Sequence, residues 1–540
     1  MPYQESVQGW RLIVLIATQL IALLFATIDT SIVSTALVTI SISLEDFVNA
    51  PWVILSYLLT YLGCATGFSK LSDIYGRRNM LYCSWTLFVV FSVGCARAVT
   101  MTQLIVCRAF QGMGGAGLYS ICQIVLFEVS GKDKPGLMGG LIGVTLAISF
   151  VLGPVLGSVI ASTTKWNVIF WINVPAGFLA IVALYLTFPR EQTAQPKGWD
   201  SVRKIDFVGI FSIITASALL VFPLQEAGTY TYAWDSAVVV VTLSIASLSW
   251  VLFFTWEIYL SLKRSTHIEP IMPLRLFLRR VYASGVICTV CTGFIFISIL
   301  VILPERFQIV NGENALWSGI HLLPMLVSTS FGAFLAGAVS RKRNNSSWVM
   351  MAAQVLQLIG IALMSMLRDA TTQTQVQYGF QVLLGLGIGL SLGAGTIIAS
   401  VQSHGRDLAV AQGAIAQARV FGGAVGIAIC TIIFNRKVTS DLQGELDPAD
   451  LTALHHSPTV TSWLPHDIQL LVRSVYASAF TSDINVMIGA GIAGVFASAF
   501  VYEKHPLSIT QQTKEASGVD GQSDTELRAI PTDASQRPLV

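Results

Sequence analysis

Apolar runs of about twenty residues recur fourteen times along this 540-residue chain, and that recurrence constrains the fold more than any single motif. A helix that crosses the roughly 30 Å hydrocarbon core of a bilayer needs about 20 apolar residues. The runs cover 12–38, 52–69, 80–97, 102–127, 137–161, 168–188, 206–224, 236–260, 281–303, 316–339, 348–367, 376–400, 408–433 and 484–503. Lipid cannot satisfy free backbone N–H and C=O groups, so each run is expected to be a helix. Composition agrees. Only 11% of residues are charged, where a soluble domain carries about 25%. With 54% hydrophobic residues, a single aqueous core could not enclose the apolar surface. The expected fold is all-α and integral to the membrane, with fourteen transmembrane helices and the lipid bilayer as principal partner.

Lysine and arginine orient the runs. The loops after even-numbered spans hold Lys70, Arg77 and Arg78; Lys132 and Lys134; Arg190, Lys197, Arg203 and Lys204; Lys263, Arg264, Arg275, Arg279 and Arg280; Arg341, Lys342 and Arg343; and Arg406. The loops after odd-numbered spans carry few basic residues. Basic loops stay in the cytosol, so both termini are expected there. The N-x-S/T sequons at Asn344 and Asn345 then lie on a cytosolic loop and should carry no glycan. The first run is too long for a signal peptide's apolar core and reads as a retained span.

A weak internal repeat divides the chain. "GFSKLSDIYGRRNMLYCSW" (67–85) and "GAFLAGAVSRKRNNSSWVM" (332–350) each join a glycine-bearing helix end, a basic cluster and a new span. Two six-span halves follow, 12–190 and 281–505, with two extra spans in 191–280 between them: a 6+2+6 arrangement. Paired halves with a central site are typical of secondary transporters. Residues 1–11 form a short cytosolic start, 435–483 a long outer loop, and 506–540 a disordered cytosolic tail.

Several motifs exclude chemistry rather than supply it. Gly112, Gly114 and Gly117 fit G-x-G-x-x-G, but inside an apolar span with no preceding strand they serve helix packing, not a dinucleotide. Gly153/Gly157, Gly385/Gly389 and Gly422/Gly426 have GxxxG spacing and carry the same expectation. No nucleotide-binding loop occurs, and no basic patch suits nucleic acid. The eight cysteines lie in apolar runs, which predicts neither disulfides nor metal. No cofactor is expected. Pro154, between Gly153 and Gly157 in "LGPVLGS", is either a static kink or a hinge and packing seam.

Charges inside spans are the informative residues, because each costs at least ~2.5 kcal/mol to insert. Asp29 lies in span 1, Arg108 in span 4 and Arg419 in span 13. Counted from the outer ends at about 1.5 Å per residue, Asp29 and Arg108 reach similar depth and could pair. Burial favours a neutral carboxyl and a nearby cation favours a charged one. Such a pair is a fixed structural bridge or a proton-coupling device. Arg419 faces a substrate cavity or braces the C-terminal half. Gln111, Gln123, Gln412 and Gln417 are further cavity candidates. His321 reads as a packing residue.

Taken together these stretches resemble the major facilitator superfamily, in particular its fourteen-span drug:proton antiporters of fungi. "SKLSDIYGRR" is similar to that family's loop motif, "QLIVCRAFQGMGGAG" to its span 4 motif, "LGPVLGS" to its antiporter motif and "IDTSIVSTAL" to its span 1 motif. Ser69, Ser158 and Asn167 depart from the pattern, standing where glycine, glycine and arginine are usual. The resemblance implies a monomeric plasma-membrane transporter that exports a small organic molecule, such as a drug or secondary metabolite, against protons. Asp29 and Arg108 would couple the proton, and Asp73, Gly76, Arg77 and Arg78 would form a cytosolic gate latch. The alternatives are a proton-coupled importer, as for iron–siderophore chelates, and a non-transporting membrane sensor. An enzyme is not expected.

Overall fold

The computed structural model describes residues 9–130, 135–188, 206–228, 232–262, 268, 274–340, 344–367, 375–403, 408–446, 454 and 466–504. Among these the architecture is helical throughout. The first half comprises α1 (Trp10–Ser43), α2 (Ala50–Tyr75), α3 (Arg77–Ala96), α4 (Met101–Ser130), α5 (Pro135–Thr163), α6 (Val168–Trp171) and α7 (Asn173–Thr187). Two further helices follow, α8 (Phe207–Gly228) and α9 (Ala237–Leu262). After the short α10 (Leu274–Phe277), the second half comprises α11 (Arg280–Ile309), α12 (Ala315–Ile320), α13 (Leu323–Val339), α14 (Ser346–Met364), α15 (Val376–Gln402), α16 (Leu408–Leu442) and α17 (His466–Ala499). Among the described residues twelve stretches are long and apolar enough to cross a membrane. Every apolar run of the sequence falls on helix.

Three expectations need correction. The runs at 168–188 and 316–339 are each broken near their start, between α6 and α7 and between α12 and α13. Pro175 and Pro324 stand just after the breaks. A proline lacks the N–H for a helical bond and its ring crowds the carbonyl four residues back, here Trp171 and Ile320, the last residues of the short helices. The loop expected at 435–483 is helical at both ends: α16 runs on to Leu442 and α17 begins at His466. The proposed tail at 506–540 and the basic residues 341–343 lie outside the described residues.

Glycines set how closely these helices approach. A Cβ at Gly112 would strike Tyr57 and Thr60 of α2, and one at Gly114 the backbone of Phe88 in α3, so α4 wedges between both. Gly385 and Gly389 bring α15 onto the α13 backbone, and Gly422 brings α16 onto α11. Small residues substitute for hydrophobic drive between helices in lipid. Buried apolar side chains gather in two main clusters, one built on α1–α7 and one on α11–α17. The halves meet where α5 touches α12 and α13, α2 touches α16, and α1 touches α11. α8 packs on α2 and α16, and α9 packs on α8.

Candidate functional site

The first half buries one dense polar cluster. α1 carries Asp29, α3 Ser92, α4 Arg108 and Gln111, and α7 Asn173, all 3% exposed or less. Arg108 donates from Nη1 to Asp29 Oδ2 in an ion pair and, at 2.8 Å, to Gln111 Oε1. Its Nε donates to the Val53 carbonyl at 3.1 Å. Asp29 Oδ1 accepts from Gln111 Nε2 at 2.9 Å and from Asn173 Nδ2 at 3.2 Å. Ser92 Oγ also accepts from both amides, at 2.8 and 3.2 Å. The guanidinium lies over the Tyr57 ring, 4.3 Å from its centroid, and Tyr57 Oη donates to the Ala26 carbonyl at 3.1 Å.

This arrangement answers the cost of burying charge. An isolated ion in a low-dielectric interior costs several kcal/mol, which pairing and complete hydrogen bonding offset. Here the charged carboxylate has three donors. Arg108 Nη2 has no hydrogen-bond partner among the described residues. A proton on Asp29 would remove the ionic partner of Arg108 while leaving Val53, Gln111 and Tyr57 to hold it.

The other expected site residues are distributed differently. Gln111 belongs to the ion-pair cluster instead of an open cavity. Gln417 donates from Nε2 to the Leu62 carbonyl at 2.6 Å and so bridges the halves. Gln412 ties α16 to α15 through Thr396 and Ser400, both at 2.8 Å. Gln123 is half-buried on α4. Arg419 is half-buried on α16, where its charge reaches Tyr61, which stacks edge-on to Tyr119 at 5.8 Å. His321 is a satisfied residue, with Nδ1 2.6 Å from Tyr378 Oη and Nε2 3.1 Å from Glu313.

The loop-motif residues sit at the α2–α3 junction. Gly76 has φ +90°, a conformation that favours glycine, and turns the chain between the two helices. Arg77 pairs with Glu128 of α4 at 2.9 Å and also contacts Ser69 and Ser72. Arg78 lies over Tyr82 and Tyr185. These contacts all stay within the first half. The Asp73 side chain lies outside the described residues.

The antiporter-like stretch is a double seam. Gly153 and Gly157 face α1, where a Cβ would strike Ser31, Ile32 and Thr35. On another side, Ser158 Oγ donates to the Pro154 carbonyl at 2.5 Å. Gly319 of α12 packs onto that pair with no room for a Cβ. Asn167, standing where arginine is usual, donates to the Ala96 carbonyl at 2.7 Å. Sequence reasoning missed Asn173 and Ser92. The available signal was an asparagine in the otherwise apolar "FWINVPAG".

Paired helical halves, long apolar helices and an ion pair buried within the first half define a multi-pass membrane protein of transporter type. The chain belongs to the Major Facilitator Superfamily, whose family description matches residues 20–427. It is 34% identical to the MFS-type transporter FPY5 of Fusarium mangiferae, over 92% of this chain and 85% of that one. It is 29% identical to the efflux pump dotC of Dothistroma septosporum (strain NZE10 / CBS 128990), over 95% and 88%. The fold is that of a bacterial homologue of the human lysosomal transporter Spinster in its inward-facing, unoccupied form (TM-score 0.60, 13% identity, 92% of this chain and 100% of that one). The human organic anion transporter MFSD10 shares it too (TM-score 0.57, 12% identity, 91% and 100%).

Proposed function

We propose that this transporter exports small organic molecules in exchange for protons, by alternating access across the plasma membrane. The observation that carries the reading is the buried Asp29–Arg108 pair with its neutral partners Gln111 and Asn173. Asp29 is the proton carrier. When charged it binds Arg108; when protonated it releases the guanidinium and loosens α1 from α4. A ligand shifts such an equilibrium only through its different affinity for the two states, and a proton binds only the carboxylate. Relatives named efflux pumps support export as the direction.

The chain crosses the membrane fourteen times in a 6+2+6 order, α2 and α4 joining the twelve long apolar stretches, with both termini in the cytosol. It works as a monomer. Asp73, Arg77 and Arg78 act as a latch at the cytosolic end, and Arg419 with Tyr61 and Tyr119 lines the substrate path.

The test uses the full chain in proteoliposomes with an imposed pH gradient and a panel of labelled drugs and fungal secondary metabolites. The expected result is substrate movement opposite to the proton flow. Asp29→Asn should lose the pH-driven movement and keep substrate exchange at equal pH. Movement of substrate and proton in the same direction would overturn export.

A further inference from the structure

Two carboxyl groups outside the Asp29 cluster share a cavity in the second half. Glu305 lies near the end of α11 and Asp483 in the middle of α17, and both line a space of about 90 Å³. The turn between α1 and α2 closes one side through Phe47 and Pro51. Asp483 is 1% exposed, and its Oδ1 has no hydrogen-bond partner among the described residues. Glu305 is close enough for its charge to act on Asp483.

Among the described lining residues the other titratable groups are Cys430 from α16 and Tyr476 from α17. The α1–α2 turn contributes none to the lining. Among the described residues no lysine or arginine lines the cavity. Arg306, beside Glu305, donates to the Leu367 carbonyl at 2.7 Å. Lys437 on α16 pairs with Asp441 at 2.8 Å, and Arg436 is exposed.

Size selects the occupant. Drug-sized ligands need about 300 Å³ or more, whereas a water needs only about 10–15 Å³. The cavity has room for a few waters and no drug. Two carboxylates lining one apolar cavity repel each other when both are charged, and with no lysine or arginine among the described lining residues the compensating charge is a proton.

We propose that Glu305 and Asp483 form a second proton-binding site, in the half of the transporter that lacks Asp29. A hydronium in the cavity gives one proton to a carboxylate oxygen and leaves as water. A coupling role for this site rests on the proton-driven reading above; proton binding itself does not.

Infrared difference spectra of the purified full chain, titrated from neutral to alkaline pH in the absence of substrate, test the site directly. A protonated-carboxyl C=O band should disappear as pH rises. The Glu305→Gln/Asp483→Asn double variant should lack that band, and Asp29→Asn should keep it. Glu305→Gln alone should move the midpoint to lower pH, because the repelling neighbour is gone; this arm decides the matter if the double variant misfolds. Asp483→Glu, which keeps the acid, should retain the band. A full band in the folded double variant, or an unmoved midpoint in Glu305→Gln, overturns the proposal. So does loss of the wild-type band on adding sodium at constant pH, which would make this a metal-cation site. Failure of pH-driven transport with the band intact would instead count against the function proposed for Asp29.

Discussion

At the scale of single residues, the Asp29 cluster makes a sharp energetic prediction. Breaking a buried pair from one side leaves an uncompensated charge and costs about 3–5 kcal/mol, while removing both charges costs much less. Arg108→Ala should therefore lower the thermal stability of the purified protein strongly, and Asp29→Asn combined with Arg108→Gln should recover most of the loss. Equal melting temperatures for the single and double variants would contradict this. Asn173→Ala removes a donor shared by Asp29 and Ser92. It should cost about 1–3 kcal/mol, the usual penalty for leaving a buried acceptor short, measured as a denaturation shift. Asp29 and Arg108 were legible because a charge inside an apolar run stands out. Asn173 and Ser92 were not, since neutral polar residues are common there. Glu305 and Asp483 escaped for a different reason. The apolar runs end at 303 and restart at 484, so both acids read as loop residues, yet helices α11 and α17 carry them inside.

At the scale of elements, the seam between α5 and α12 belongs to the contact between halves. Gly319 has no room for a Cβ against Pro154 and Ser158. Overpacking a tight contact costs typically about 1–3 kcal/mol. Gly319→Ala should destabilise the protein by that order. Gly337→Ala, on a stretch of α13 where a Cβ meets nothing within 4 Å, should be neutral or slightly stabilising, because glycine weakens a helix interior. Melting curves of the two variants decide it, and equal shifts would mean the seam is not tight. The departure at Ser158 thereby acquires a physical role, since its hydroxyl caps the Pro154 carbonyl at the very point where Gly319 packs. The spacing of Gly153 and Gly157 announced a close contact; that the partner is α1 required the packed structure.

At the scale of the whole molecule, the proposed fourteen-span arrangement with cytosolic termini predicts accessibility. Epitope tags at either terminus should be reached in permeabilised cells and not in intact ones. Asn344 should carry no glycan: it is 6% exposed and its Oδ1 accepts from the Ser346 backbone N–H at 3.2 Å and hydroxyl at 2.7 Å. A glycan there, or tags labelled on intact cells, would reverse the orientation. The bridge from Gln417 to Leu62 joins residues 355 apart in sequence, a contact that no local pattern announces.

The sequence by itself determined most of the helices, their order and the membrane as their solvent. The reason is physical: a bilayer leaves a crossing backbone almost no alternative to a helix, so apolar length alone is decisive. It also marked Asp29, Arg108 and the glycine faces, because charge and small size are costly or useful in lipid wherever they occur. Only the tertiary structure decided which polar groups meet. Arg108 reaches Asp29 across 79 residues, and Asn173 reaches it across 144. Those pairings depend on how helices rotate and pack, which is a property of the assembled bundle and not of any one segment.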